Sequence, residues 1–276
     1  MGVYVHPLSE KMIHSALTQE RHAVLLSGKE GSGLLTIAQH VANAQAASVL
    51  TLQPEKDEKI DLVKGVIAIE QIRRLYDTLR TNPANGRIVI IDFADRMGAP
   101  AQNAFLKLLE EPPARTQFVL LSHYPERLLP TIRSRIEEID VRPLLAEQSQ
   151  ALLDELRVSD ALKRTRILFI ADGRPAEITR LAQDDTYYEG RVAIVKDART
   201  FVTGTPYDRV LLAKEYKDSR EKALLLLSDA MAQLKDSLAK GGTEASLDAL
   251  THLERVYTRI VAQGNIRLQL SSLGAL

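Results

Sequence analysis

Residues 25–39 read LLSGKEGSGLLTIAQ. The apolar run HAVLLSG at 22–28 leads into this stretch and predicts a buried strand. The alanine-rich LLTIAQHVANAQAAS at 34–48 leads out of it and predicts a helix. Between them Gly28 and Gly33 enclose four residues, which is the G-x-x-x-x-G spacing of a phosphate-binding loop. Such a loop works because its backbone N–H groups and the following helix N-terminus cradle phosphate. A working loop then supplies a lysine to the β and γ phosphates and a hydroxyl to magnesium. Here those two positions are Leu34 and Leu35, which can neither carry charge nor bind a metal.

Lys29 lies at the wrong end of the loop to replace the lysine. Thr36 comes one residue late, which turns it by about 100° around a helix. Three readings stay open from these residues. The stretch is a glycine-rich turn without a ligand, a vestigial phosphate loop (Gly28, Gly31, Gly33, Leu34 and Leu35), or a loop repaired by Lys29 and Thr36. The first two predict little or no catalysis.

Outward from this stretch, strands and helices alternate. PLSEKMIHSALTQE at 7–20 predicts an amphipathic helix, and VLTLQPEKDEKID at 49–61 a short strand followed by a polar loop. AIEQIRRLYDTLRTNP predicts a helix that stops before Pro83. GRIVIIDFAD at 86–95 is the plainest buried strand in the chain. PAQNAFLKLLEEPP predicts a helix closed by Pro112 and Pro113, QFVLLSH a strand, ERLLPTIRSR one short helix and IEEIDVRPL a further strand. Strand–helix alternation implies a parallel sheet with helices on both faces. After Pro143 the pattern becomes helical to the end of the chain, first in three or four short helices and then in long ones broken at Gly241–Gly242. The expected plan is an α/β domain at 1–142, a small helical lid at 143–184 and an all-α domain at 185–276.

The acidic strand is also incomplete. An ATPase strand typically ends in Asp, which holds magnesium, and then Glu, which activates water. Here Asp92 is followed by Phe93. Asp92 alone is equally a polar residue at a strand end, and Asp95 reads as a helix cap.

Totals narrow the function classes. The chain has 276 residues, 45% of them apolar, enough for two or three domains with ordinary cores. Lys+Arg and Asp+Glu are both 36, so any DNA contact is local or shared with other chains. No cysteine is present, which excludes disulfides, thiol nucleophiles and Cys-ligated zinc, and the six histidines lack metal-binding spacing. The N-terminus has neither a signal core nor a myristoylation serine, and no apolar run is long enough for a membrane span. A cytoplasmic protein without a membrane partner is expected.

The segment GRIVIIDFADRMGAPAQNAFLKLLEEPPARTQFVLLSHYPERLLPTIRSRIEEI, and within it DFADRM, AQNAFLKLLEEPP and LLPTIRSR, resembles the clamp-loader subunits of bacterial DNA polymerase III. Weaker likenesses in IEQIRRLYDTL, GRPAEITRLA, LLLLSDAM and VAQGNIRLQLSSL extend it over most of the chain. The resemblance implies an AAA+ fold of three domains, the last joining a collar with other subunits. It also implies a complex that uses ATP to open a sliding clamp and place it on primer-template DNA.

The family contains a stationary member that hydrolyses no ATP and offers an arginine to a neighbour's site. That arginine maps onto Arg135, with Ser134, in the Ser-Arg-Cys motif, where Ile136 departs from the family pattern at an apolar position. A guanidinium at a helix end can stabilise a transferring phosphoryl group, an effect of about 10³–10⁵ in rate. Arg135 as a mere surface ion-pair partner is the bland reading, and Arg133 is the nearest competitor.

Family ATPases also carry a nucleotide-sensing arginine after the lid glycine. Gly173 is present, Ala176 stands at the matching position and Arg174 comes too early. Ser122 takes the place of a γ-phosphate sensor, and the zinc cysteines of many relatives are missing.

The expected role is therefore a non-hydrolysing stator with no cofactor of its own. ATP and magnesium would sit in neighbouring gamma/tau-like subunits, and the other partners would be a delta-like subunit, the sliding clamp and primed DNA. An active AAA+ ATPase, gamma/tau-like or helicase-loader-like with an atypical loop, is the main alternative. A clamp- or polymerase-binding module is the third.

Overall fold

The computed structural model describes residues 2–18, 21–80 and 86–275. Five parallel strands form the central sheet: β1 (Ala23–Ser27), β2 (Ser48–Leu52), β5 (Arg87–Ile91), β6 (Thr116–Ser122) and β7 (Glu137–Asp140). Their spatial order is β2-β5-β6-β1-β7. Each interior strand carries an apolar run through its middle because both faces of a parallel sheet are covered. The two-residue period of the pleat sends Ala23, Leu25, Val89, Ile91, Phe118 and Leu120 into one core. Val24, Leu26, Ile88, Ile90, Val119 and Leu121 go to the other.

Helices α3 (Ile69–Thr78) and α4 (Ala99–Glu110) close the first core, with Ile72, Leu75, Phe105 and Leu108 buried against the sheet. Phe105 meets Phe118 edge to face, with ring centroids 5.2 Å apart. Fully burying a side chain of this kind contributes about 1.5–3 kcal/mol. Helices α1 (Pro7–Thr18) and α2 (Leu34–Ala44) close the second core with Ile13, Ala16, Leu34 and Ile37.

Three helices follow the sheet: α6 (Ala146–Glu155), α7 (Ala161–Ala171) and α8 (Pro175–Gln183). The side chain of Asp160 caps α7 by accepting from the N–H groups of Leu162 and Lys163. By compactness the chain divides into two units, Met1–Ala182 and Gln183–Leu276. The second unit is helical throughout, with α9 (Asp185–Thr203), α10 (Pro206–Glu215), α11 (Arg220–Ala239), α12 (Glu244–Val261) and α13 (Ile266–Ser271). Phe201, Leu226, Leu227, Val256 and Ile260 lie in its core. Arg191 and Asp229 join α9 to α11 by two hydrogen bonds of 3.0 and 3.2 Å.

Several expectations change. The polar loop after β2 contains a small antiparallel hairpin, β3 (Glu55–Lys56) and β4 (Lys59–Ile60), because Asp57 and Glu58 both turn through positive φ between them. ERLLPTIRSR is not one helix. A single 3₁₀ turn at Pro125–Arg127 ends at Leu128, and Pro130 opens the four-residue α5 (Pro130–Arg133). Pro130 disfavours a helical conformation at the residue before it and is well suited to a first helical turn. Helix α3 ends at Thr78, and the expected stop before Pro83 lies outside the described residues. Among the described residues no helix is long and apolar enough to cross a membrane.

Candidate functional site

Helix α2 starts directly from the glycine loop. Gly33 caps it at φ 76°, and Gly31 lies at φ 87°, both in the left-handed region that favours glycine. Leu34 is 4% exposed and packs into the second core, while Leu35 is half-buried against the same cluster. Thr36 is exposed on the far side of the helix. The two positions that would face phosphate and magnesium in a working loop therefore carry apolar side chains packed on the sheet.

Helix α8 and the turn before it are tied to the loop. The Gly31 carbonyl oxygen accepts from the backbone N–H groups of Ala176 and Glu177, at 3.0 and 3.3 Å, in the first turn of α8. A partial negative charge is favoured at a helix N-terminus, and here the loop's own backbone provides it. Arg174 adds a second tie: its Nη1 donates to the Glu30 carbonyl at 3.0 Å, and its Nε and Nη2 to the carbonyls of Ala171 and Ile170. Lys29 reaches Asp172 at 3.5 Å, away from the centre of the loop. A Cβ placed on Gly31 would come within 3.0 Å of the Glu177 Cβ, so the approach depends on glycine. The sequence placed Arg174 outside the family's sensing position; its actual contacts cross from lid to loop.

The acidic strand end is equally engaged. Asp92 is buried, accepts from Gln53 Nε2 at 3.1 Å and from the Phe93 N–H at 3.1 Å. Burial raises its pKa above the ordinary carboxylate value, with the two hydrogen bonds opposing. Phe93 stands at φ 52°, its ring between the Arg96 guanidinium, 4.3 Å from the centroid, and the His123 ring at 5.6 Å. His123 Nδ1 is 2.7 Å from the Gly28 carbonyl oxygen, which ties the strand end back to the loop. Asp95 does not cap a helix: it lies inside a 3₁₀ turn, and its carboxylate accepts the Ser122 hydroxyl at 2.8 Å. Gly98 holds the cap position of α4 instead. Ser122, fully buried, also accepts from the Tyr124 N–H at 3.0 Å. Among the described residues no cluster of His, Cys, Asp or Glu could hold a metal ion.

Arg135 lies elsewhere. Strand register pairs Val24 with Glu137 and Ser27 with Asp140, so position 135 is level with the start of β1. Gly28 lies beyond the other end of β1, roughly 15–20 Å away at the rise of a strand. Arg135 follows α5 and Ser134, is 39% exposed, and pairs with Glu110 at 3.0 Å. Its Nη1 donates to the Thr131 carbonyl at 3.0 Å. Arg133 turns toward the sheet instead and pairs with Glu138 at 3.0 Å. Ile136 packs against the first core, the apolar position expected of it.

Gln102 was not singled out by sequence. Buried in α4, it donates from Nε2 to the carbonyls of Met97 and Arg127 and accepts the Leu129 N–H at 2.7 Å, fixing the chain before α5. A lone Gln on an apolar helix face was the available signal.

A family model described as "DNA polymerase III, delta subunit" matches residues 6–145. The DNA polymerase III subunit delta' of Bacillus subtilis is 29% identical over 212 residues, 70% of this chain and 64% of that protein. That of Pseudomonas aeruginosa is 32% identical over 190 residues, 59% of this chain and 56% of that protein. The chain thus spans between about half and two thirds of the length of these curated relatives. In fold, a gamma subunit-related protein of Thermotoga maritima superposes with a TM-score of 0.58 at 20% identity, covering 97% of both chains. A Thermotoga maritima RuvB structure does so with 0.51 at 14% identity, over 73% of this chain and 66% of its own. The strand–loop–helix start, the parallel sheet with its helical lid and a match over half of its residues together make this chain a member of the DNA polymerase III delta-subunit family, with delta-prime subunits among its relatives.

Proposed function

We propose that this chain is the stationary subunit of a clamp loader, which hydrolyses no ATP itself and lends Arg135 to the ATP site of a neighbouring subunit. One contrast carries this reading. The chain's own loop is closed by its lid through Gly31, Ala176, Glu177 and Arg174, whereas Arg135 stands exposed at the other end of the sheet. Position 135 lies roughly 15–20 Å from Gly28 along the sheet, further than an arginine side chain extends, so any phosphate that Arg135 meets belongs to another chain.

The loop lacks a lysine and a hydroxyl where phosphate and magnesium would need them, and the buried Asp92 carboxylate is already engaged by Gln53 and by the Phe93 N–H. ATP and magnesium then belong to gamma/tau-like neighbours. The remaining partners are a delta-like subunit, the sliding clamp and primer-template DNA, and the last is met through the complex, in keeping with zero net charge.

In a loader reconstituted with its ATPase subunits, clamp and primed DNA, Arg135→Ala should lower turnover at the receiving ATP site by about 10³-fold. The isolated chain should bind no Mg-ATP in calorimetry. Micromolar affinity with turnover, or unchanged hydrolysis by the Arg135→Ala complex, would remove this reading.

A further inference from the structure

We infer that Glu110 is a positioning residue for Arg135, an inference that rests on the arginine-finger reading above. Arg135 is held from two sides: locally by the Thr131 carbonyl and by the Ser134 hydroxyl, which Nη1 reaches at 3.5 Å, and from another helix by Glu110. Its Nη1 donates to the Thr131 carbonyl on α5 at 3.0 Å, and its Nη2 lies 3.0 Å from Glu110 Oε1, at the last residue of α4. The first anchor is local and fixes where the guanidinium starts. The second comes from another helix and fixes the direction in which the planar fork points.

An arginine fork carries five N–H donors. Two donors at Nη1 meet Thr131 and Ser134 and one at Nη2 meets Glu110, so the Nε–H and the second Nη2 hydrogen remain for a further acceptor while these contacts stay in place. A phosphate oxygen of a neighbouring chain is such an acceptor. Glu110 and Arg135 are 53% and 39% exposed, so the pair forms in water and stays open to a second chain. The end of a helix also favours a nearby cation, and Arg135 lies against the C-terminus of α4. The preceding arginine shows the contrast. Arg133 is drawn back by Glu138 next to its own sheet, so two carboxylates sort two neighbouring arginines into different directions.

The test is a double-mutant cycle in the reconstituted loader, after each complex has been shown to assemble by size-exclusion chromatography. Glu110→Ala should lower maximal clamp- and DNA-stimulated turnover by about 3–10-fold, the lower part of the range for coupled contacting residues. The KM for ATP should stay unchanged. Glu110→Gln, which keeps an acceptor for Nη2, should recover most of the loss. In an Arg135→Ala background, Glu110→Ala should add nothing. An equal loss in both backgrounds overturns the inference, because Glu110 would then act independently of the arginine. Unchanged or raised turnover with Glu110→Ala overturns it too. A loss at Arg135 without one at Glu110 removes this inference alone; no loss at Arg135 removes the finger reading and the inference together.

Discussion

The two ends of strand β1 differ in how their polar groups are satisfied. At the loop end they face inward. The Gly31 carbonyl takes the N–H groups of α8, Arg174 takes three carbonyls, and Ser122 is paired with Asp95. At the other end Arg135 is anchored by a surface carboxylate, a carbonyl of its own short helix and the neighbouring Ser134 hydroxyl. An exposed ion pair of this type contributes under about 1 kcal/mol, so it holds a direction without sealing the group away. The comparison teaches that a family resemblance in the loop carries little chemistry when its lysine and hydroxyl positions are leucines and its Glu30 and Gly31 carbonyls are tied to the helix behind it. The charged group left within reach of a partner is the better guide.

Restoring the loop is the hardest test of this contrast. Leu34→Lys should cost about 3–5 kcal/mol in denaturant unfolding, since it removes a packed leucine and places an ammonium group against the second core. It should also fail to confer ATP binding. Unchanged stability together with nucleotide binding would show that the loop end is open after all.

A smaller effect is expected at the lid. Arg174→Ala removes the guanidinium contacts to Glu30, Ala171 and Ile170 and should cost about 1–3 kcal/mol. Amide hydrogen exchange should rise in α8 and in the glycine loop and stay unchanged in α4. Equal exchange in the variant and the parent would mean that the Gly31 carbonyl alone holds the lid.

Asp92 offers the finest distinction. Its folded pKa is raised by burial, so the native state holds this proton more tightly than the unfolded chain. Stability from this group is present below the ordinary carboxylate pKa and is lost as pH rises through the raised folded value. Asp92→Asn should remove that loss. The Tm difference between variant and parent should therefore shift in the variant's favour between acidic and neutral pH, measured by thermal melts across this window. A variant that instead loses ground as pH rises would mean that the charged carboxylate is needed at the strand end.

Much of the sheet was legible because buried parallel strands write themselves as continuous apolar runs. GRIVIIDFAD and QFVLLSH became β5 and β6, and Pro100 and Pro112 bracket α4. The hairpin β3–β4 was not legible, since its turn depends on positive φ at Asp57 and Glu58, residues that read as solvated charge. Asp95 was misread for a related reason: a carboxylate near a helix start suits a cap, and only the fold brings the Ser122 hydroxyl to it from another strand.

By itself the sequence determined the alternation of strand and helix, the loss of lysine and hydroxyl at Leu34 and Leu35, and the presence of Arg135 at the end of a short helical segment. Residue identity and short-range periodicity suffice for these. The tertiary structure alone decided that α8 closes the loop, that Arg174 crosses to Glu30, that Glu110 holds Arg135, and that loop and arginine lie at opposite ends of the sheet. Each depends on strand register or on the meeting of residues far apart along the chain, and local periodicity carries no record of either.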